Sequence, residues 1–183
     1  MVTRLVVLMA LALPVSAAEI AGVKFDPQAR VAESPLTLKG VGLRKRLFFQ
    51  VYAIGLYVQD TKGDPVAQGG AKRVAIHMLR DVDAETFTQA LVDGMRPNHD
   101  EATMTALAPR IAQLSAIMAQ VKEANKGMAI ALDWVPGAGT RMSIDGKPAG
   151  QPIEGEDFYR ALLRIWLGDK PVQDDLKQAL LGG

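Results

Sequence analysis

The chain has 183 residues, 49% of them hydrophobic, and 21 Lys and Arg against 20 Asp and Glu. So small a net charge, with no basic run, makes it a poor candidate for nucleic acid or for an anionic membrane surface. The absence of Cys excludes disulfides, thiol chemistry, thiolate metal sites and a lipidated N-terminal cysteine.

The first residues have the order of a secretory signal. Arg4 supplies the positive charge, residues 5–13 are an unbroken apolar run, Pro14 breaks it, and Val15-Ser16-Ala17-Ala18 offers small side chains to a signal peptidase. The run is far shorter than the ~20 residues needed to span a bilayer. The expectation is therefore a cleaved leader, residues 1–18, and an exported domain, residues 19–183, with no stable membrane insertion once the leader is gone. N-terminal sequencing of protein from an exporting host should find Ala18 or Glu19 first; an intact Met1 on a membrane-bound product would refute this. Losing Arg4 leaves the two signs of charge balanced.

Residues 22–25 form a short opening strand, and 36–38 start another. Gly40-Val41-Gly42 then bends the chain just before Arg44. Residues 47–58 give the strongest strand signal. Phe48, Tyr52, Ile54 and Leu56 fall on one face, and Leu47, Phe49, Val51 and Tyr57 on the other. Apolar residues on both faces predict a central strand covered on each side. Ala53 and Gly55 leave room for a close neighbour, either a helix or a ligand.

Residues 72–79 are the next strand. Asp83 then caps a helix with Phe87, Leu91 and Met95 along one face, ended by Gly94, Arg96 and Pro97. Asn98 and Glu101 resemble a capping box for a second helix. Its stripe is Leu107, Ile111, Leu114, Met118 and Val121, with Pro109 expected to kink or split it and Gly127 to stop it. Residues 128–135 and 140–144 are strands, and Asp145-Gly146 is a tight-turn signal. Phe158, Leu162 and Ile165 or Trp166 mark a helix stopped at Gly168. Pro171 opens a last one carrying Val172, Leu176 and Leu180. Strands, helices, a hairpin and helices again form a segregated order. It indicates α+β with a mostly antiparallel sheet.

Familiar catalytic constellations are missing. His77 and His99 lie on separate elements with no second ligand at metal spacing, and Ser34, Ser115 and Ser143 have no nucleophile-elbow context. No metal or cofactor is expected. The methionines read as ordinary core or as the lining of a flexible apolar site. Arg44 stands between a glycine turn and a two-sided apolar strand. It is either part of a solvated basic corner with Lys45 and Arg46, or a planar fork for a carboxylate or oxyanion at the mouth of an apolar cleft. Tyr52 is either a packed ring with one hydroxyl partner or a second group of that site.

Four stretches bear on the choice. Leu38-Lys39-Gly40-Val41-Gly42-Leu43-Arg44, followed by Val51-Tyr52-Ala53-Ile54-Gly55-Leu56-Tyr57, resembles the chalcone isomerase family. Pro136-Gly137-Ala138-Gly139-Thr140 and Ile165-Trp166-Leu167-Gly168-Asp169-Lys170-Pro171 resemble its secreted bacterial branch. The resemblance implies an open-faced β-sandwich, an antiparallel sheet with helices on one side and a ligand cleft between them. It implies that Arg44 is the site arginine. The plant isomerases of the family carry Thr where Tyr52 stands, and a Tyr and an Asn where Phe87 and Gly94 stand. The family's fatty-acid-binding relatives have an Arg and a Tyr as Arg44 and Tyr52 do here. The resulting expectation is non-catalytic binding of a small amphipathic carboxylate by Arg44, Tyr52 and Phe87. Weak isomerase activity and a protein-interaction module are the alternatives.

Overall fold

The computed structural model describes residues 17–183, so residues 1–16, nearly all of the expected leader, lie outside the described residues. β1 (Ala18–Ile20) and β2 (Val23–Phe25) form a small hairpin. β3 (Gln28–Val31), β4 (Ser34–Arg46), β5 (Phe49–Val58) and β6 (Lys72–Met78) follow. The helices α1 (Ala84–Met95) and α2 (Glu101–Ala119) are bracketed by the paired two-residue strands β7 (Val82–Asp83) and β8 (Glu123–Ala124). β9 (Ala129–Val135), β10 (Gly139–Ile144) and β11 (Lys147–Ile153) come next, then α3 (Glu156–Leu167) and α4 (Asp174–Leu180). One seven-stranded sheet has the order β11-β10-β9-β6-β5-β4-β3, antiparallel throughout. This is the α+β architecture expected, a curled antiparallel sheet with four helices.

Both faces of β5 are covered, as its composition requires. Tyr52, Ile54, Leu56 and Val58 pack with the helices in the main core, to which α3 contributes the bulky Phe158, Tyr159 and Trp166, each at most 1% exposed. Ala53 and Tyr57 belong to a second cluster with Phe25, Val31 and Leu36. The close neighbour at Gly55 is therefore neither helix nor ligand. A Cβ there would lie 2.7 Å from the Phe25 ring, so the glycine admits the N-terminal hairpin.

Several local expectations are corrected. The chain does not turn at Gly40-Val41-Gly42; β4 runs through them, with a register shift between Leu38 and Gly40. The bare Gly40 and Gly42 serve α4, which packs directly on this strand: a Cβ on Gly40 would meet the Ala179 carbonyl oxygen at 2.2 Å, and one on Gly42 the Leu176 side chain at 2.3 Å. The cap of α2 is Asp100, whose Oδ1 accepts from Thr103 N at 2.8 Å, rather than Asn98. α2 is not split at Pro109, and it ends at Ala119, well before Gly127. Pro171 lies three residues ahead of α4, not in its first turn. The edge strands β3 and β11 had no clear sequence signal. β11 carries Pro148, Gly150 and Pro152, which an edge strand tolerates because one row of its backbone groups is unpaired.

Candidate functional site

The end of the β4–β5 hairpin decides the site. Arg44 and Tyr52 are direct cross-strand partners, with a register shift just beyond them between Arg44 and Lys45. Residues opposite each other in an antiparallel pair point to the same face, here the helix side. Tyr52 is 8% exposed, and its hydroxyl accepts a 2.9 Å hydrogen bond from Trp166 Nε1 of α3. No hydrogen bond donated by that hydroxyl is found among the described residues. Burial pushes the Tyr52 pKa up, partly offset by the indole bond and by the Arg44 guanidinium nearby. The phenol is therefore neutral at physiological pH, with its proton available to an acceptor in the cleft.

Arg44 is half-buried. Its Nη1 bonds three neutral oxygens: Lys45 O at 2.8 Å, Val172 O at 3.2 Å and Gln173 Oε1 at 3.3 Å. Among the described residues it has no carboxylate partner. A guanidinium has five donors in a fixed fork; one nitrogen makes these three bonds, and the guanidinium also interacts with the Tyr52 hydroxyl. Gln173 steadies this corner by also accepting from Lys45 N at 2.9 Å and donating to Leu43 O at 3.1 Å.

Arg44, Tyr52 and Phe87 all line one cleft of about 880 Å³ between the hairpin, α1 and the segment joining α3 to α4. The volume falls within the range of small-molecule sites. Val51, Leu91, Ile165 and Val172 extend its apolar wall. The three residues singled out in the sequence are thus brought together. Phe48, expected on the same strand face as Tyr52, is not among them: the strand starts at Phe49, and Leu47-Phe48 form the hairpin turn. Among the described residues no methionine lines the cleft; Met78, Met95, Met118 and Met142 are buried core. Trp166 and Gln173 were missed as site residues, because nothing in a helical stripe or a polar loop tells which strand residue it will meet.

Two other hollows lack this combination. A groove of about 730 Å³ is lined only by α1, α2 and the turn between them, including His99. A hollow of about 530 Å³ on the hairpin side of the sheet contains Arg73, but that cation is held bidentately by Asp133 at 2.6 and 2.7 Å. His77, at its rim, stacks edge-on against Phe25. Among the described residues no group of His, Asp and Glu is placed to hold a metal ion.

The model of chalcone isomerase-like proteins matches residues 17–182. The chain belongs to the chalcone isomerase-like family. No curated protein sequence matches it. Among solved structures, the crystal structure of a fatty-acid binding protein from Arabidopsis thaliana is similar, with a TM-score of 0.69 at 17% identity, covering 91% of this chain and 96% of that one. This likeness establishes the shared fold. Within it, this chalcone isomerase-like protein has no hydroxyl or amide at positions 87 and 94. Phe87 is 5% exposed, and a Cβ on Gly94 would meet Ile165 at 2.7 Å and Val172 at 3.0 Å. Gly94 thus lets α1 pack close to α3, and a larger residue there must displace that contact.

Proposed function

We propose that this protein, once exported, binds a small amphipathic carboxylate, a fatty acid or a close analogue, in the 880 Å³ cleft without transforming it. The observation that carries this is Arg44: a half-buried guanidinium with only neutral partners, directly across from the neutral phenol of Tyr52, in a cleft that also offers the apolar Phe87, Leu91, Ile165 and Val172. A carboxylate there takes charge-assisted bonds from Arg44 and one from Tyr52. Its chain lies along Phe87, Leu91 and Ile165. Each buried methylene adds ~0.8 kcal/mol, so affinity grows with chain length. The fatty-acid binding protein from Arabidopsis thaliana with the same fold supports the ligand class. Mass spectrometry of small molecules extracted from freshly purified protein, followed by calorimetric titration with fatty acids, tests the proposal. Absence of any co-purified carboxylate together with no heat of binding would refute it.

The same arginine favours a second reading, weak ring closure of a chalcone, since a cation can stabilise a developing enolate oxyanion. Phe87 and Gly94 leave no phenol or amide at the two α1 positions where the plant isomerases carry them; the polar α1 side chains on the cleft wall are Thr86 and Asp93. Loss of enone absorbance should be negligible with the wild type. A rate within about tenfold of a plant isomerase, a gap of only ~1.4 kcal/mol, would overturn this. Phe87→Tyr with Gly94→Asn should not install activity. The asparagine strikes Ile165 and Val172, and the expected result is a lower melting temperature.

A further inference from the structure

The large apolar side chains exposed among the described residues sit together at one place. Leu47 is 85% exposed, Phe48 97% and Phe49 56%. They form the tip of the β4–β5 hairpin, whose last pair is Arg46 with Phe49, leaving Leu47-Phe48 as a two-residue turn. Leu47 adopts φ 55°, at a position where two-residue turns ordinarily use Gly. A left-handed leucine and a fully exposed phenylalanine are both unfavourable in water. An Asn-Gly or Asp-Gly turn would lessen both costs, as at Asp145-Gly146, where Asp holds the left-handed position at φ 49°.

The surroundings of the tip are basic. Lys45 and Arg46 are exposed at its base, and the exposed Arg80 sets its guanidinium 4.6 Å over the Phe49 ring. Acidic groups line the same cleft: Asp81, Asp83 and Asp93 at and before α1, and Glu123 of β8. Asp81 and Asp83 are engaged with the backbone amides of Lys126 and Thr86, and Asp93 accepts from Gln89. The balanced total charge thus conceals an apolar tip flanked by three cations, Lys45, Arg46 and Arg80, and Arg46, Leu47 and Phe49 also line the cleft.

We infer that the Leu47-Phe48 tip inserts into the surface of an anionic phospholipid bilayer, docking the mouth of the cleft against the lipid. Aromatic and leucine side chains enter the interface while the cations meet the headgroups, the two terms that govern reversible surface binding. Only the purpose of docking, exchange of an amphipathic ligand between bilayer and cleft, rests on the proposed function. The docking itself does not.

The test is co-sedimentation of the mature protein with vesicles of phosphatidylglycerol and phosphatidylcholine, compared with phosphatidylcholine alone. The wild type should bind the anionic vesicles, less so at high salt. Phe48→Ser should weaken this by roughly tenfold or more, since it removes the side chain that enters the lipid. Lys45→Ala should cost about fivefold and flatten the salt dependence. Neither residue lines the cleft, so fatty-acid titration in solution should be unchanged in both. Vesicle binding that is absent, or indifferent to Phe48→Ser, overturns the inference. So does a concentration-dependent dimer that Phe48→Ser abolishes in the absence of vesicle binding, which would assign the tip to a second copy of the chain. A wild type that docks on vesicles yet binds no fatty acid refutes the proposed function and leaves the docking standing.

Discussion

Arg44→Ala is expected to weaken binding of a long-chain carboxylate by roughly 10- to 150-fold, the equivalent of ~1.5–3 kcal/mol for a hydrogen bond to a charged group. The fold should survive. The side chain is half-buried and its three acceptors are neutral oxygens. Gln173 keeps its bonds to Lys45 N and Leu43 O when Arg44 is gone. Arg44→Lys should recover only part of the affinity, because an ammonium cannot present two parallel donors to a carboxylate. Tyr52→Phe should cost ligand binding less, about 0.5–1.5 kcal/mol for one hydroxyl. It should also lower stability, because the Trp166 indole N–H loses its acceptor inside the core. A buried unpaired donor costs ~1–3 kcal/mol. Lys45→Ala, outside the cleft, is the control for a merely solvated basic corner. Calorimetric titration with a fatty acid, alongside thermal melts, separates these effects. If Arg44→Ala and Lys45→Ala titrate alike, Arg44 is not the carboxylate anchor.

Much of the fold was legible because hydrophobic period and punctuation agree locally. From Tyr52 to Val58 the even and odd residues of β5 fell to the two sides that its composition demands, helices on one face and the N-terminal hairpin on the other, while Val51 packs on the helix side. Asp83 caps α1, accepting from Thr86 N at 2.7 Å, and Gly168 ends α3. Failures came where a residue has two uses. Glycine permits a turn, but it also permits close approach, and at Gly40 and Gly42 the second use won. Asn98 was a reasonable cap by type. Instead its side chain joins the loop after α3, bonding Arg164 O at 3.1 Å and Lys170 O at 2.8 Å and accepting from Lys170 N at 2.9 Å. No local pattern reveals partners 66 and 72 residues away.

For the site, the neighbourhood of Arg44 was legible and its supports were not. Alternation placed Tyr52 on a buried face, but the cross-strand pairing with Arg44 depends on where the hairpin turns. Apolar Leu47-Phe48 read as strand because apolar residues rarely make a two-residue turn. Reading them as strand hid the exposed tip and put Phe48 on the face of Tyr52, whereas its side chain is in solvent. Trp166 and Gln173 orient Tyr52 and Arg44 from elements more than a hundred residues away in sequence.

Gly40→Val should be strongly destabilising. Strand propensity alone predicts the opposite, since valine is favoured in strands and glycine is not. The structure reverses the sign. A Cβ on Gly40 would lie 2.2 Å from the carbonyl oxygen of Ala179 and 2.7 Å from that of Leu180. These are backbone atoms of α4 and cannot swing aside, so either the clash remains or the helix lifts from the sheet. Lifting it exposes Leu176 and Leu180, now 1% and 2% exposed. A cost of about 3 kcal/mol corresponds to a fall of roughly 6–12 °C in melting temperature for a domain of this size. At Gly42 the obstacle is the flexible end of Leu176, met at 2.3 Å, so Gly42→Val should cost less. Gly69 has nothing within 4 Å of a built Cβ, and Gly69→Val should melt like the wild type. Movement of α4 also pulls on Gln173 at its N-terminus, and with it the corner that holds Arg44. Gly40→Val should therefore bind ligand more weakly even at temperatures where it stays folded, whereas Gly69→Val should not. Equal melts for Gly40→Val and Gly69→Val would show that α4 does not need the bare strand it rests on.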